Sequence, residues 1–428
     1  MSQIVKHQFP RIDEEISYIH LENGLRLIII PKHGFKETTC MLTSHFGSLD
    51  TTFTDADGQV KKYPEGIAHF LEHKLFELAN NKDAAILFTN LGADANAYTG
   101  FDKTSFFFST TESISESLNL LQEFLSKTHF DEDSIQKEKE IIGQEIDMYQ
   151  DESDYRLYQG ILSNLYPETP LAEDIAGTKE SIQQITVEDL RENHRYFYHP
   201  RNMTLLVVGD IDEDMILQQV EQTQKRLKTD TVGLVTREKL NTLPVLKTQS
   251  IRMDVAQPKL AVGYRGEEPT SDMSLLQQKI ALRLLFAMLL GWTSETYQTW
   301  YEGGHIDDSF DIEIEVQPNF QFIIFSADTL EPIAMSNKIR QLIKKLDKSS
   351  DINEKHFELV KKELYGDFMR SLDSVNHLAS QFMTYLTDTE NYFDIPQILE
   401  HLSLTDTVEI GKQFLATAEV SDFTIFPK

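Results

Sequence analysis

The sequence predicts an α+β protein made of two structurally related α/β-sandwich halves joined by a linker. Three observations predict it. The 428 residues are two to three times the length of a typical domain, so the chain holds more than one hydrophobic core. Apolar spacing alternates between the two-residue period of strands and the longer period of helices. The order strand, helix, strand, helices occurs twice, on either side of a stretch from Thr229 to Gln249 where periodicity fades into Thr, Lys, Pro and Asp. The expected division is therefore residues 1–228, a linker over 229–249, and residues 250–428. No residue-level repeat accompanies it.

In chain order, Tyr18 to Leu21, Leu25 to Ile30 and Thr39 to Ser44 read as strands, the first two parted by the turn Glu22-Asn23-Gly24. Pro64 opens a helical stretch in which Ile67, Phe70, Leu71 and Leu75 make one apolar stripe, and it stops around Asn80 and Asn81. A strand pair follows, Ala95 to Thr99 and Thr104 to Ser109, and the phenylalanines Phe106 to Phe108 read as core packing. Two helices come next, Ile114 to Thr128 and Asp133 to Leu165, with Asp131 or Asp133 as the cap of the second. Thr186 to Arg195 forms a helix capped by Thr186 with Asp189 three residues on, and Met203 to Asp210 is an apolar strand. A helix from Glu213 to Lys228 closes the first half. The second half reads as a strand (Lys259 to Tyr264), a long apolar helix (Met273 to Leu290), strands (Asp308 to Glu315, Phe320 to Ser326), helical blocks and a last strand from Asp422 to Phe426.

Lys+Arg 40 against Asp+Glu 69 gives a net charge of -29, which repels phosphate backbones and anionic headgroups. Nucleic acid and membrane surfaces are not expected partners. The single cysteine, Cys40, cannot form an internal disulfide, the N-terminus has no apolar signal core, and no apolar run approaches the ~20 residues of a membrane span. These features read as a soluble, cytoplasmic protein.

The stretch that carries chemistry is Pro64 to Phe76. His69 and His73, four apart on a helix, share a face one turn apart, so both imidazoles reach one ion, and Glu72 lies on the same side. The pattern is His-x-x-Glu-His, the inverse of the His-Glu-x-x-His zinc motif; either order sets a carboxylate beside a ligand without making it one. A catalytic zinc takes three protein ligands, so a third donor must come from elsewhere. In the second long helix Glu138 and Glu145 are seven apart and share a face. Glu145 lies among Ile141, Ile142, Ile146 and Met148, an expensive place for an unpaired charge. A solvated role suits Glu140 best, and is as good as a functional one for Glu138.

The His69-x-x-Glu72-His73 helix, the Glu138 to Glu145 pair and the intervening Asn96-Ala97-Tyr98-Thr99 together resemble the pitrilysin/insulinase-type zinc metallopeptidases, the inverzincins, to which the mitochondrial processing peptidase is related. The wording around His69 is most similar to a bacterial single-zinc subgroup, and Leu206 to Asp210 and Tyr301 to Gly304 look like further landmarks. The resemblance implies a processing-peptidase-like fold whose second half lacks a metal site. It implies that His69, His73 and Glu145 bind Zn2+, that Glu72 is the general base and that Glu138 supports the site. It also implies that Asn96, Ala97 and Tyr98 lie on an edge strand where a peptide substrate is held by backbone hydrogen bonds. The activity implied is hydrolysis of peptides or small unfolded polypeptides, with zinc activating a water and Glu72 taking its proton.

One departure stands out. Family members acting alone or as homodimers carry an Arg and a Tyr seven apart in the second half; here Thr299 to Phe310 has no Arg, and Asp307 falls near the Tyr position. The resemblance then implies a dimer in which a related zinc-less subunit supplies both groups, or a chain in which His305 or Tyr301 replaces them. The reading from a different class is a non-catalytic peptide-binding or scaffold subunit of the same fold, whose mark would be a damaged His-x-x-Glu-His. The other histidines, His194, His199 and His401, lack ligand spacing, and Trp292 and Trp300 read as packing residues.

Overall fold

A computed structural model describes residues 3–78, 82–227, 233, 235–269 and 274–428. The chain divides into two compact units, and both are discontinuous. Unit 1 comprises Met1–Asp147, Asp174–Glu238 and Ser371–Leu386; unit 2 comprises Met148–Glu173, Lys239–Arg370 and Thr387–Lys428.

Unit 1 is built on a seven-stranded sheet of β1 (Gln3–Phe9), β2 (Glu14–His20), β3 (Arg26–Pro31), β4 (Thr38–Ser44), β5 (Ala93–Thr99), β6 (Thr104–Thr110) and β7 (Met203–Gly209), in the order β1-β2-β3-β7-β4-β6-β5. Only β3 and β7 run parallel. β4 and β7 are buried along their whole length, as an apolar run without alternation demands. On one face Leu27, Ile29, Cys40, Leu42, Phe106, Phe108, Leu205 and Val207 pack against Phe70, Leu71 and Leu75 of the helix Ile67–Phe76 and Leu121 and Phe124 of the helix Ile114–Ser126. Phe106 and Phe108 are thus core residues, while Phe107, on the opposite face, is half-buried. β5 pairs only with β6 and is the sheet's edge.

Unit 2 carries a five-stranded sheet of β8 (Thr248–Met253), β9 (Lys259–Arg265), β10 (Asp311–Gln317), β11 (Phe320–Asp328) and β12 (Glu419–Pro427), in the order β8-β12-β9-β11-β10. β8 and β12 are the parallel pair. Strand for strand, this repeats β3-β7-β4-β6-β5 of unit 1 in order and direction. The two related sheets expected from the sequence are present; the extra hairpin β1-β2 distinguishes unit 1.

The division between units differs from the contiguous halves expected at 1–228 and 250–428. The helix read as Asp133 to Leu165 is two, Glu132–Asp151 and Ser153–Leu165, broken at Glu152, whose backbone is extended (φ -81°, ψ 112°). The first belongs to unit 1 up to Asp147; its last turn and the second helix belong to unit 2, and the second packs on β12 and β9. The reciprocal crossing is made by the helix Val375–Tyr385, which packs on β7 and β4 of unit 1. β7 and β4 are the counterparts of β12 and β9, so the same face of each sheet is covered by a helix from the other half of the sequence. A contiguous reading misses this because both helices are amphipathic, and periodicity shows that a face is apolar without showing which sheet it meets.

Within the expected linker, residues 229–232 and 234 lie outside the described residues, as do the helix end at Asn80 and Asn81 and the start at Met273. The described part is partly ordered by pairing: Thr236–Arg237 pairs with Thr52–Thr54, and Arg237 Nε donates to Asp50 Oδ1 at 2.6 Å. Thr248 and Gln249 already belong to β8. Among the described residues no single helix is long and apolar enough to cross a membrane.

Candidate metal centre

The helix Ile67–Phe76 begins three residues after Pro64. Gly66 precedes it with φ 84°, a left-handed backbone that glycine adopts without strain, and a Cβ there would meet the Ala176 carbonyl oxygen at 2.4 Å. Ile67, Phe70, Leu71 and Leu75 bury the stripe read from the sequence and turn His69 and His73 to one side. Their ring centroids lie 4.5 Å apart.

The carboxylates arrive on the helix Glu132–Asp151, capped by Asp131, whose Oδ1 accepts from the Ser134 N–H at 2.9 Å. Ile135, Ile142 and Ile146 are buried and anchor the face that bears Glu138 and Glu145. Ile141 and Met148, expected around Glu145, are instead exposed at 53% and 55%, so the enclosure of Glu145 comes from the histidine helix. His69 Nε2 stands 3.7 Å from Glu145 Oε1, and His73 Nε2 stands 3.6 Å from Glu145 Oε2. One donor atom from each of the three residues lies within 4.8 Å of the others, and this is the one such group among the described residues. Ligands at about 2.0–2.2 Å from a tetrahedral ion are separated by roughly 3.3–3.6 Å, so the set fits zinc with little adjustment.

The surroundings support the fit. His73 Nδ1 lies 3.0 Å from Glu138 Oε1; a proton on Nδ1 donated to that carboxylate leaves the Nε2 lone pair facing Glu145. Glu72 is buried, and its Oε2 accepts from the Thr99 hydroxyl at 2.5 Å. Among the described residues no lysine or arginine forms an ion pair with Glu72, Glu138 or Glu145, so three carboxylates converge with no permanently charged side chain to balance them. A divalent cation held by His69, His73 and Glu145 would supply that balance. Burial, with a smaller push from His73, lowers the His69 pKa to about 3, which suits a neutral ligand. Burial raises Glu72, with Glu145 adding to it against the Thr99 hydrogen bond. For His73 burial acts downwards, but the hydrogen bond and charge of Glu138, with the fields of Glu72 and Glu145, outweigh it and hold the imidazole above its ordinary range.

All five residues singled out on the two helices therefore meet. Asn96, Ala97 and Tyr98 lie on β5, which packs beside the histidine helix, but the residue of that strand that touches the site is Thr99. Asn96 is exposed and its Oδ1 accepts from the Ala97 N–H at 2.8 Å. Sequence reading also passed over Tyr198, fully enclosed near Glu72, whose phenol burial and then the Glu72 charge hold well above its usual range. A tyrosine at a helix end carries no motif, so nothing local flags it. In unit 2, Asp307 is occupied by Ser309 and Gln257, and the Tyr301 phenol by Asp308. His194, His199 and His401 hydrogen-bond to backbone nearby. Trp292 is 63% exposed, against the packing role expected, and donates to Glu363 Oε1 at 2.7 Å.

Residues 59–179 match the family Insulinase (Peptidase family M16), and residues 184–364 match the Peptidase M16 inactive domain. The zinc protease YmfH of Bacillus subtilis is 35% identical over 425 residues, spanning 98% of this chain and 99% of that one. The chain belongs to the insulinase family of peptidases, M16. A second relative, the zinc protease PqqE of Helicobacter pylori, is 25% identical over 96% of this chain and 92% of its own. An M16-like peptidase from Alicyclobacillus acidocaldarius superposes with a TM-score of 0.90 at 29% identity, covering 100% of this chain and 99% of that one. Pitrilysin shares the fold at a TM-score of 0.76 and 16% identity, this chain covering 46% of its length. The metal-ligand group falls in the span that matches the insulinase description for its histidines and Glu145 alike, and the inactive-domain match covers four of unit 2's five strands, β8 to β11, and the helix Leu275–Leu290 between β9 and β10.

Proposed function

We propose that the chain is a zinc-dependent endopeptidase acting on peptides or small unfolded polypeptides. The observation that carries this is the convergence of His69, His73 and Glu145 with Glu72 beside them and outside the ligand set. Zinc held by these three would supply a Lewis acid that polarises a water and the scissile carbonyl. Glu72 is the proton carrier. The Thr99 hydroxyl fixes its Oε2, leaving Oε1 to take the proton from the attacking water and deliver it to the departing amine. Burial strengthens Glu72 as a base, since a raised carboxyl pKa brings it nearer the operating pH. Glu138 keeps the His73 ring in one orientation through Nδ1. Along β5, at Asn96, Ala97 and Tyr98, an extended peptide pairs with the free sheet edge through backbone hydrogen bonds that do not read side chains.

The substrate-holding Arg, absent from Thr299 to Phe310, and the Tyr near whose position Asp307 stands come, in this reading, from a zinc-less related subunit in a heterodimer. A missing oxyanion donor costs about 2.7–4 kcal/mol, so the chain alone is expected to cleave slowly. Full-rate cleavage by the purified chain, unaltered by adding such a subunit, would exclude the heterodimer. The peptidase itself is tested by zinc content and peptide cleavage in wild type and Glu72→Gln. Retained zinc with cleavage reduced about 10²–10⁴-fold supports it. Equal cleavage by both proteins shows that Glu72 carries no proton, and wild type with zinc but no cleavage, with or without the partner, favours the scaffold reading.

A further inference from the structure

Two neighbours of the site residues have no part in the chemistry above: Lys74, which follows His73, and Ser134, one turn before Glu138. Lys74 is fully buried, with 0% exposure, although a lysine is almost never enclosed without a partner. Its Nζ donates to Glu77 Oε2 and to Ser134 Oγ, and the Ser134 hydroxyl donates to the same Glu77 oxygen. The three groups interlock: the ammonium gives two of its three N–H bonds, the hydroxyl accepts one and gives one, and one carboxylate oxygen accepts from both.

The ring's location is specific. Glu77 caps the end of the histidine helix, and Ser134 sits in the first turn of the helix that carries the carboxylates. Ser134, Glu138 and Glu145 are separated by four and seven residues, so they share one face. That face meets the histidine helix three times: at the ring, at His73 Nδ1 through Glu138, and at both Nε2 atoms through Glu145. Apolar residues of similar volume hold two helices together at least as well as a buried ion pair. What they lack is direction. Hydrogen bonds at fixed angles resist rotation and sliding of one helix on the other, and a ligand set tolerates only about 0.5 Å of such movement.

We propose that the Lys74–Glu77–Ser134 ring is the positioning element that sets the carboxylate helix against the histidine helix, and so fixes Glu138 and Glu145 relative to His69 and His73. The inference rests on the reading of this site as a metal centre. It is tested on the full chain stripped of metal, by zinc affinity in chelator competition and by the visible spectrum of the cobalt-substituted protein. Ser134→Ala leaves Lys74 and Glu77 paired and cuts only the link between helices. It is expected to weaken zinc binding about tenfold and shift the cobalt bands; Lys74→Met approaches a hundredfold, and Ser134→Thr, which keeps the hydroxyl, returns most of the affinity. A Ser134→Ala protein with wild-type zinc affinity and an unaltered cobalt spectrum overturns the proposal, even if it melts earlier. Should Lys74→Met not fold, Ser134→Ala decides alone. Wild type that binds no zinc removes the metal-centre reading itself, whereas wild type that binds zinc as tightly as Ser134→Ala removes only the positioning role.

Discussion

Unit 1 and unit 2 place a helix at the same point of the same strand arrangement, between β4 and β5 in one and between β9 and β10 in the other. In both, that helix bonds to the sheet's edge strand. In unit 1 the bond is from Thr99 to Glu72 at 2.5 Å; in unit 2 it is from Lys279 to Glu315 at 2.9 Å. The unit 1 helix keeps an apolar stripe and spends the rest of its surface on His69, Glu72 and His73. The unit 2 helix, Leu275–Leu290, buries eleven residues on nearly every side. The strand arrangement therefore needs no metal. The difference also shows in how each unit treats a buried acid: unit 1 gathers three carboxylates around the candidate metal centre, while unit 2 encloses Glu313 against the Tyr158 hydroxyl, which donates to it at 2.9 Å.

The strongest way to break the comparison is to separate the halves it compares. Residues 1–228 and 250–428 expressed apart should each fail to fold, because each lacks the helix covering its sheet. In Ser153–Leu165 alone, Leu157, Ile161, Leu162 and Leu165 are buried, worth roughly 6–12 kcal/mol at about 1.5–3 each. That is comparable to a whole domain's stability of about 5–15 kcal/mol. Circular dichroism and gel filtration of the fragments, alone and mixed, check this; a cooperatively melting lone fragment refutes it.

The metal difference is next in size. Glu145→Gln should lose zinc and essentially all cleavage, while keeping the wild-type circular dichroism spectrum, since the substitution keeps the side chain's size and changes only the carboxylate that faces His69 and His73. Zinc measured by atomic absorption in the variant, and in wild type after dialysis against chelator, checks this; cleavage by dialysed wild type should return on adding zinc. Glu138→Gln, which weakens the hold on His73 Nδ1 without removing a ligand, should reduce zinc affinity about 10–100-fold.

The smallest effect lies in unit 2. Burial raises the Glu313 carboxyl from 4.5 to about 7, with Glu315 and Asp311 adding to it against the Tyr158 hydrogen bond. The folded state thus binds this proton more tightly than the unfolded state. Its contribution to stability is complete below about pH 4.5 and is lost as pH rises through about 7, amounting to about 1–3 kcal/mol. Urea titrations at pH 5 and pH 8, compared between wild type and Glu313→Gln, should show a smaller pH dependence in the variant by that amount. Identical pH dependence would mean that Glu313 is ionised in the folded state.

Most local structure is legible in the sequence itself. Thr186 and Asp189 form the capping box expected of them, and the helix they start runs from Val187 to Phe197. His69, Glu72 and His73 share a face because a helical period is a local property that the apolar stripe of Ile67, Phe70, Leu71 and Leu75 declares. Glu138 and Glu145 were legible as a pair for the same reason. Less legible were contacts made at long range. Thr99 reaches Glu72 across 27 positions, and Lys74 reaches Ser134 across 60. No spacing rule links residues so far apart. The break at Glu152 was invisible because no proline or glycine marks it, and helical periodicity resumes at once on the other side.

The sequence by itself determined that this chain has two sheet-and-helix halves, that one helix presents two histidines and a glutamate on one side, and that a second helix offers carboxylates at matching spacing. These follow from periodicities set by backbone geometry, which any stretch of chain carries with it. Only the tertiary structure decided which carboxylate stands against both histidines, which orients one of them, and that the two units exchange helices across the sequence midpoint. Those outcomes depend on how distant surfaces fit, and the fit is a property of the packed whole.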